Sequence, residues 1–213
     1  MEIQKGQRQM VFSSLTFLFL FLPIVLLFYY SVGEKWENGI LLLASLFFYA
    51  WGEPRHIYLM IFSILVNYYF GLKIGKEIHR KKKFWLGVTL FFNLSLLIIF
   101  KYAKFLFGIG GIALPLGISF FTFQTMSYVI DVYRGEERVQ RNFFSLALYV
   151  SLFPQLVAGP IVRYQTVDQQ IYRREHSLDK FVQGVNRFIA GLSKKVILAN
   201  QLAVVADGVF IIG

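Results

Sequence analysis

VFSSLTFLFLFLPIVLLFYY, residues 11–30, carries no charge and is as long as a helix needs to be to cross a bilayer. It is too long for the apolar core of a signal peptide, and no small-x-small cleavage site follows it. The stretch therefore reads as a retained first span. Pro23 is expected to kink it, and Tyr29 and Tyr30 fall where aromatic side chains meet headgroups. The rest of the chain repeats the theme. Apolar residues make up 56% of the 213 and charged ones only 16%, well below the quarter usual in soluble domains. Mean hydropathy is +0.56. With 24 Phe and 12 Tyr, the aromatic load fits hydrocarbon as solvent rather than a soluble core.

Working outward, further apolar segments occupy 39–51, 57–72, 84–104, 112–130, 143–162 and 196–212. The second is short for a span and ends at Glu53-Pro54-Arg55. Between the third and fourth lie Lys73, Lys76, Arg80, Lys81, Lys82 and Lys83 against a single Glu77. The positive-inside rule makes that loop cytoplasmic. It is also why a net charge of +10 points to anionic headgroups here, with no nucleic acid among the expected partners. There is no Cys, which excludes disulfides and thiolate chemistry. His56, His79 and His176 show no ligand spacing, so no metal site is expected.

Segment five carries Ser119, Thr122, Gln124, Thr125, Ser127 and Tyr128 around its whole circumference at 100° per residue. Such a helix suits burial among other helices, whereas segment one suits lipid contact. Ser119, Thr122 and Gln124 are interhelical glue or channel lining. Asp131 and Arg134, at i and i+3, read as a helix-end ion pair. Segment six is interrupted by Pro154, Gly159 and Pro160, and Pro115 interrupts segment five. Broken backbone at membrane depth survives only where protein or a water-filled cavity satisfies it. Re-entrance of segment six is favoured, because it keeps Arg163, Arg173, Arg174 and Lys180 cytoplasmic. Residues 178–195 follow the i, i+3, i+4, i+7 pattern of an amphipathic interfacial helix with Ser177 as N-cap. Asp207 sits in an apolar run, where a carboxylate is a functional candidate. The fold expected is an all-α membrane protein: one domain, a polytopic bundle or ring with broken or re-entrant helices.

Five motifs in order resemble the membrane-bound O-acyltransferase family of the bacterial alginate and peptidoglycan O-acetylating type. They are Met10-Val-Phe-Ser-Ser-Leu-Thr, Asn67-Tyr-Tyr-Phe-Gly with Phe100-Lys-Tyr-Ala, Leu114-Pro-Leu-Gly-Ile-Ser-Phe-Phe-Thr-Phe-Gln, Tyr128-Val-Ile-Asp-Val-Tyr-Arg-Gly, and Phe153-Pro-Gln-Leu-Val-Ala-Gly-Pro-Ile-Val-Arg. The resemblance implies a helical ring around a narrow channel in the bacterial cytoplasmic membrane. It implies acetyl transfer to an extracytoplasmic polysaccharide. The donor would be acetyl-CoA or an acyl-carrier thioester, a substrate rather than a bound cofactor, with extracytoplasmic partner proteins completing the transfer. On family position, Gln155, Arg163 and Tyr164 would line the cytoplasmic mouth, and Arg suits the donor's phosphates. The resemblance covers an N-terminal half. The family's catalytic His belongs to its second half, and no catalytic residue is assigned here. The expectation is that these residues alone are inactive and need the missing half. Two other readings stand beside it: a transporter or channel subunit, for which an inverted repeat is wanted and none is seen, and a non-catalytic membrane scaffold.

Overall fold

The computed structural model describes residues 14–77, 80–102, 114–115, 117–135, 139–156, 159, 162–203 and 208, and among these every regular element is a helix. Helix α1, Phe17–Ser31, begins with a π turn over Phe17–Phe21. The wide turn lies just ahead of Pro23, whose missing N–H would break an α-helical ladder there. The expected disturbance at Pro23 takes this form. One side of α1 buries Phe17, Phe21 and Val25 in a cluster with Phe48 and Phe153. The other exposes Phe19, Leu20, Ile24 and Leu27.

Helix α2 spans Glu34–Gly52, 19 residues and about 28 Å long, rather than the short segment 39–51. Glu37 misled the apolar count: it is buried at the helix start, where Tyr29, Arg174 and His176 satisfy its carboxylate. A tight turn through Glu53–His56, closed by a 2.8 Å Glu53–His56 contact, reverses the chain. Helix α3, Ile57–Lys76, then returns to the end where α2 began. Helix α4 follows as Arg80–Leu97, with a π turn carrying it to Tyr102. It starts in the basic loop, four residues ahead of the expected position. By length and composition, α3 and α4 are the two described helices able to cross a membrane.

Helix α5, Ile118–Arg134, starts later than the expected residue 112. Leu114 and Pro115 are not helical, and Gly117 caps the helix at φ 71°. It packs chiefly on α3 and α4 and buries nine of its residues, Thr122, Gln124, Thr125 and Tyr128 among them. Burial is not all round, however: Phe123, Met126, Ser127 and Ile130 face an open cleft. Its last turn lies at the basic end, with Lys82 over the Tyr133 ring at 5.5 Å.

Segment six is broken. Helix α6, Phe143–Ser151, gives way at Leu152 to a single turn, α7, Phe153–Leu156. There the Phe153 N–H meets Ser45 Oγ, halfway along α2. Farther on, the Val162 carbonyl accepts from Tyr149 OH at 2.7 Å. Helix α8, Tyr164–Tyr172, begins beside Gln140, the residue that precedes the whole excursion. Helix α9, Leu178–Ser193, runs on through a π turn, Lys194–Ala199. The Ser177 hydroxyl caps it by accepting from the Lys180 N–H at 3.2 Å, as expected. Asp207, Pro160, His79 and, within 196–212, residues 204–207 and 209–212 lie outside the described residues.

Candidate functional site

One glycine brings the start of α5 against Leu156, and a second lets the chain pass close to its own Pro154 and Gln155. At Gly117 the positive φ already favours glycine, and an added Cβ would lie 2.8 Å from the Leu156 carbonyl oxygen. At Gly159 a Cβ would lie 2.6 Å from Gln155 Cα, a backbone atom that cannot yield. Leu156 therefore sits directly on the start of α5, and side chains of the two segments meet. Gln124 Nε2 donates to Gln155 Oε1 at 2.8 Å. Both residues were candidates from sequence, and the fold brings them together across 31 positions.

Arg163 lies at the N-cap of α8. It lines a cleft of about 500 Å³ with Phe123, Met126, Ser127, Ile130, Asp131 and Arg134. Arg163, a candidate from sequence, thus shares one cleft with Asp131 and Arg134, which were read as a structural pair; the cleft is apolar along α5 and charged at the basic end of the bundle. Tyr164, the next residue, points the other way and is buried. Its hydroxyl donates to Asp168 and accepts from Gln140 Nε2. Gln140 Oε1 in turn accepts from Tyr172 OH at 3.0 Å, and its N–H donates to Tyr128 OH at 3.1 Å. Desolvation, with the Asp168 hydrogen bond second, pushes the Tyr164 phenol above its ordinary value of 10.0. It stays a neutral donor across the physiological range.

The remaining candidates divide. Ser119 Oγ accepts from Lys101 Nζ at 3.5 Å, far from the charged end of the cleft. Thr122 is buried in the bundle, and its carbonyl accepts from Thr125 Oγ1 at 2.9 Å. Pro115 is buried where its carbonyl accepts the Ile118 N–H, and Pro154 is exposed on the hairpin. Sequence reading missed Gln140, Asp168 and Tyr172. It also missed an amide pair in the middle of the bundle: Asn67 and Asn93 donate to each other at 3.1 and 2.8 Å. Isolated amides within apolar runs were the available signal.

Relatives of the chain carry informative names. It is 44% identical over 218 aligned positions to a probable alginate O-acetylase of Pseudomonas putida, covering 94% of this chain and 45% of that protein. The probable alginate O-acetylase of Azotobacter vinelandii is 41% identical over 94% of the chain and 44% of its own length. A peptidoglycan O-acetyltransferase of Helicobacter pylori is 35% identical over 93% of the chain and 46% of its own length. The chain thus spans a little under half the length of these curated relatives. No family model and no solved structure matches it. Identity above 40% along nearly the entire sequence, in agreement with the five ordered motifs, means that the chain belongs to the membrane-bound O-acyltransferase family, in its alginate and peptidoglycan O-acetylating branch.

Proposed function

We propose that this chain forms the donor-side part of a membrane machine that O-acetylates an extracytoplasmic polysaccharide such as alginate or peptidoglycan. The observation that carries the reading is 41–45% identity, across 94% of the chain, to proteins named as alginate O-acetylases. The cleft suggests a division of labour. Arg163 and Arg134 give its charged end the geometry for a phosphate of an acetyl-CoA or acyl-carrier donor. Phe123, Met126 and Ile130 offer an apolar path along α5 for the thioester arm. The Gln124–Gln155 amides flank that helix from the hairpin side.

In the same reading residues 143–162 are a re-entrant hairpin in the bacterial cytoplasmic membrane, entering and leaving on the side of the basic loop. The return of Tyr164 to Gln140 and of Val162 to Tyr149 supports it, since a full crossing would separate the two ends by about 30 Å. The acetyl group would then travel from this mouth toward the opposite face, where partner proteins and the polymer wait.

The test is a chimera in which these residues replace the matching region of the Pseudomonas putida relative, in cells that make alginate. Alginate acetyl content is expected to return. Arg163→Gln in the chimera is expected to lower it roughly tenfold or more, the loss of one charge-assisted contact. A chimera that reaches the membrane at normal abundance and leaves alginate unacetylated overturns the proposal.

A further inference from the structure

Arg163 is poorly suited to the start of its own helix. It is the N-cap residue of α8, in extended backbone at φ −63° and ψ 145°, and its side chain caps nothing. N-caps favour Ser, Thr, Asp and Asn, whose oxygens accept from the first helical N–H groups. A guanidinium offers only donors, and its charge has the same sign as the helix N-terminus. Local preference therefore opposes arginine here, and such conflicts gather at functional positions. The side chain is exposed and lines the cleft with Asp131 and Arg134.

Buried phenols fix the backbone around it. Tyr149 of α6 is fully buried and touches the residue on each side of Arg163. Its hydroxyl donates to the Val162 carbonyl at 2.7 Å, and its ring meets the Tyr164 ring edge to face, with centroids 5.1 Å apart. Tyr164 in turn packs edge to face on Tyr128 at 5.2 Å. Tyr128 belongs to α5, which supplies the other residues lining the cleft. The Arg163 carbonyl accepts from the Thr166 N–H at 3.1 Å. Residues 162, 163 and 164 are thus each held at one point, and the distance from Arg163 to α5 is set by rings in contact. Among the bonds described, the one from Tyr149 fastens the chain ahead of the N-cap; the others act at or after it. An arginine that clasps a phosphate surrenders rotamer freedom, and a backbone already fixed adds no further loss.

We infer that Tyr149 is a positioning residue for the donor site: its hydroxyl, through the Val162 carbonyl, holds Arg163 where the guanidinium meets a phosphate of the incoming acyl donor. The inference rests on the donor reading of the cleft. The phosphate of such a donor is remote from its thioester, so the contact serves ground state and transition state alike. Loss of the position is then felt in KM rather than kcat.

Tyr149→Phe removes the hydroxyl and keeps the ring. Tyr68→Phe is the matched control, since the Tyr68 hydroxyl also donates to a backbone carbonyl, that of Arg141 at 2.6 Å, away from residues 162–164. KM for acetyl-CoA is measured in inside-out vesicles carrying the chimera. Tyr149→Phe is expected to raise it roughly threefold or more, the scale of one hydrogen bond, with kcat within about twofold of the parent; Tyr68→Phe should leave both unchanged. Arg163→Gln should raise KM roughly tenfold, and Tyr149→Phe should add nothing in the double variant, because the hydroxyl acts only through Arg163. A second readout needs no turnover. The full chain has no cysteine, so a spin label on Arg163→Cys in detergent reports that position alone. Tyr149→Phe should make the label more mobile, and Tyr68→Phe should not. An Arg163→Gln KM equal to the parent's overturns the donor reading of the cleft and the inference with it. A raised KM for Arg163→Gln beside an unchanged one for Tyr149→Phe overturns the inference alone. So do additive effects in the double variant and an unmoved label. Failure of Tyr149→Phe to accumulate where Tyr68→Phe does would make Tyr149 a residue of stability only, and overturns it too.

Discussion

Asn67 of α3 and Asn93 of α4 form a closed pair in which each amide donates to the other's oxygen. Their remaining amide hydrogens go to the Ser63 and Thr89 carbonyls one turn back, and Thr125 Oγ1 adds a third helix at 3.3 Å. Three helices therefore meet at one fully buried polar point. Asn67→Ala and Asn93→Ala should each destabilise the protein in detergent by about 1–2 kcal/mol. The double variant should cost less than the sum, with a coupling of about 0.6–1.7 kcal/mol. Additive losses in thermal unfolding would show that the two amides act independently.

The seat of the hairpin gives a prediction of opposite signs. Gly117→Ala adds a Cβ at positive φ against the Leu156 carbonyl and should cost more than about 1 kcal/mol. Gly159→Ala meets backbone at 2.6 Å and should be as harmful. Gly87, inside α4 with nothing within 4 Å, is the contrast: Gly87→Ala should be neutral or stabilise by up to about 1 kcal/mol. Melting temperatures of the three variants check this, and a loss at Gly87 equal to the others would refute it.

How far the sequence led can be judged on these same elements. Charge and apolar length located α3 and α4 to within a turn, because their interiors hold no ionised group. Helix α2 was cut short because Glu37 reads as a polar boundary. Only the fold supplies its partners, Arg174 and His176, more than 130 positions away. The breakers of segment six were plain, and so were Gln155 and Arg163. That Gln155 meets Gln124 was not, since hydropathy carries no information on which amide faces which. Gln140 and Asp168 were not singled out, because nothing local marks them as partners of Tyr164.

That partnership has a pH signature. The Tyr164 phenol is neutral and doubly hydrogen-bonded, and burial raises its ionisation above the unfolded value of about 10. A folded state that holds the proton more tightly than the unfolded one keeps its full advantage below pH 10 and loses stability as pH climbs past it. Tyr164→Phe should cost about 1–3 kcal/mol at neutral pH, by stranding Gln140 and Asp168. It should also flatten the decline in stability above pH 10 by one proton's contribution. Denaturation followed at pH 8 and at pH 10.5 distinguishes the outcomes, and an unchanged alkaline slope would count against the assignment.

Topology can be read with thiol chemistry as well. In spheroplasts, a membrane-impermeant maleimide should fail to reach Gln165→Cys, just as it fails with Lys81→Cys, until the membrane is permeabilised. Both positions are exposed on the structure, so shielding reflects sidedness rather than burial. Labelling of Gln165→Cys from outside, with Lys81→Cys protected, would mean that residues 143–162 cross completely.

The close seat of Leu156 on Gly117 bears on biogenesis. The break at Leu152 and the single turn Phe153–Leu156 leave open backbone that needs protein neighbours to be satisfied in hydrocarbon. Its receptor, the start of α5, leaves the ribosome about forty residues earlier, and Ser45 of α2, which takes the Phe153 amide, 108 residues earlier. Synthesis in this direction has the cradle waiting when the broken segment emerges. A circularly permuted gene in which 143–162 came first would present the insertion machinery with an orphan, degraded before its cradle was made.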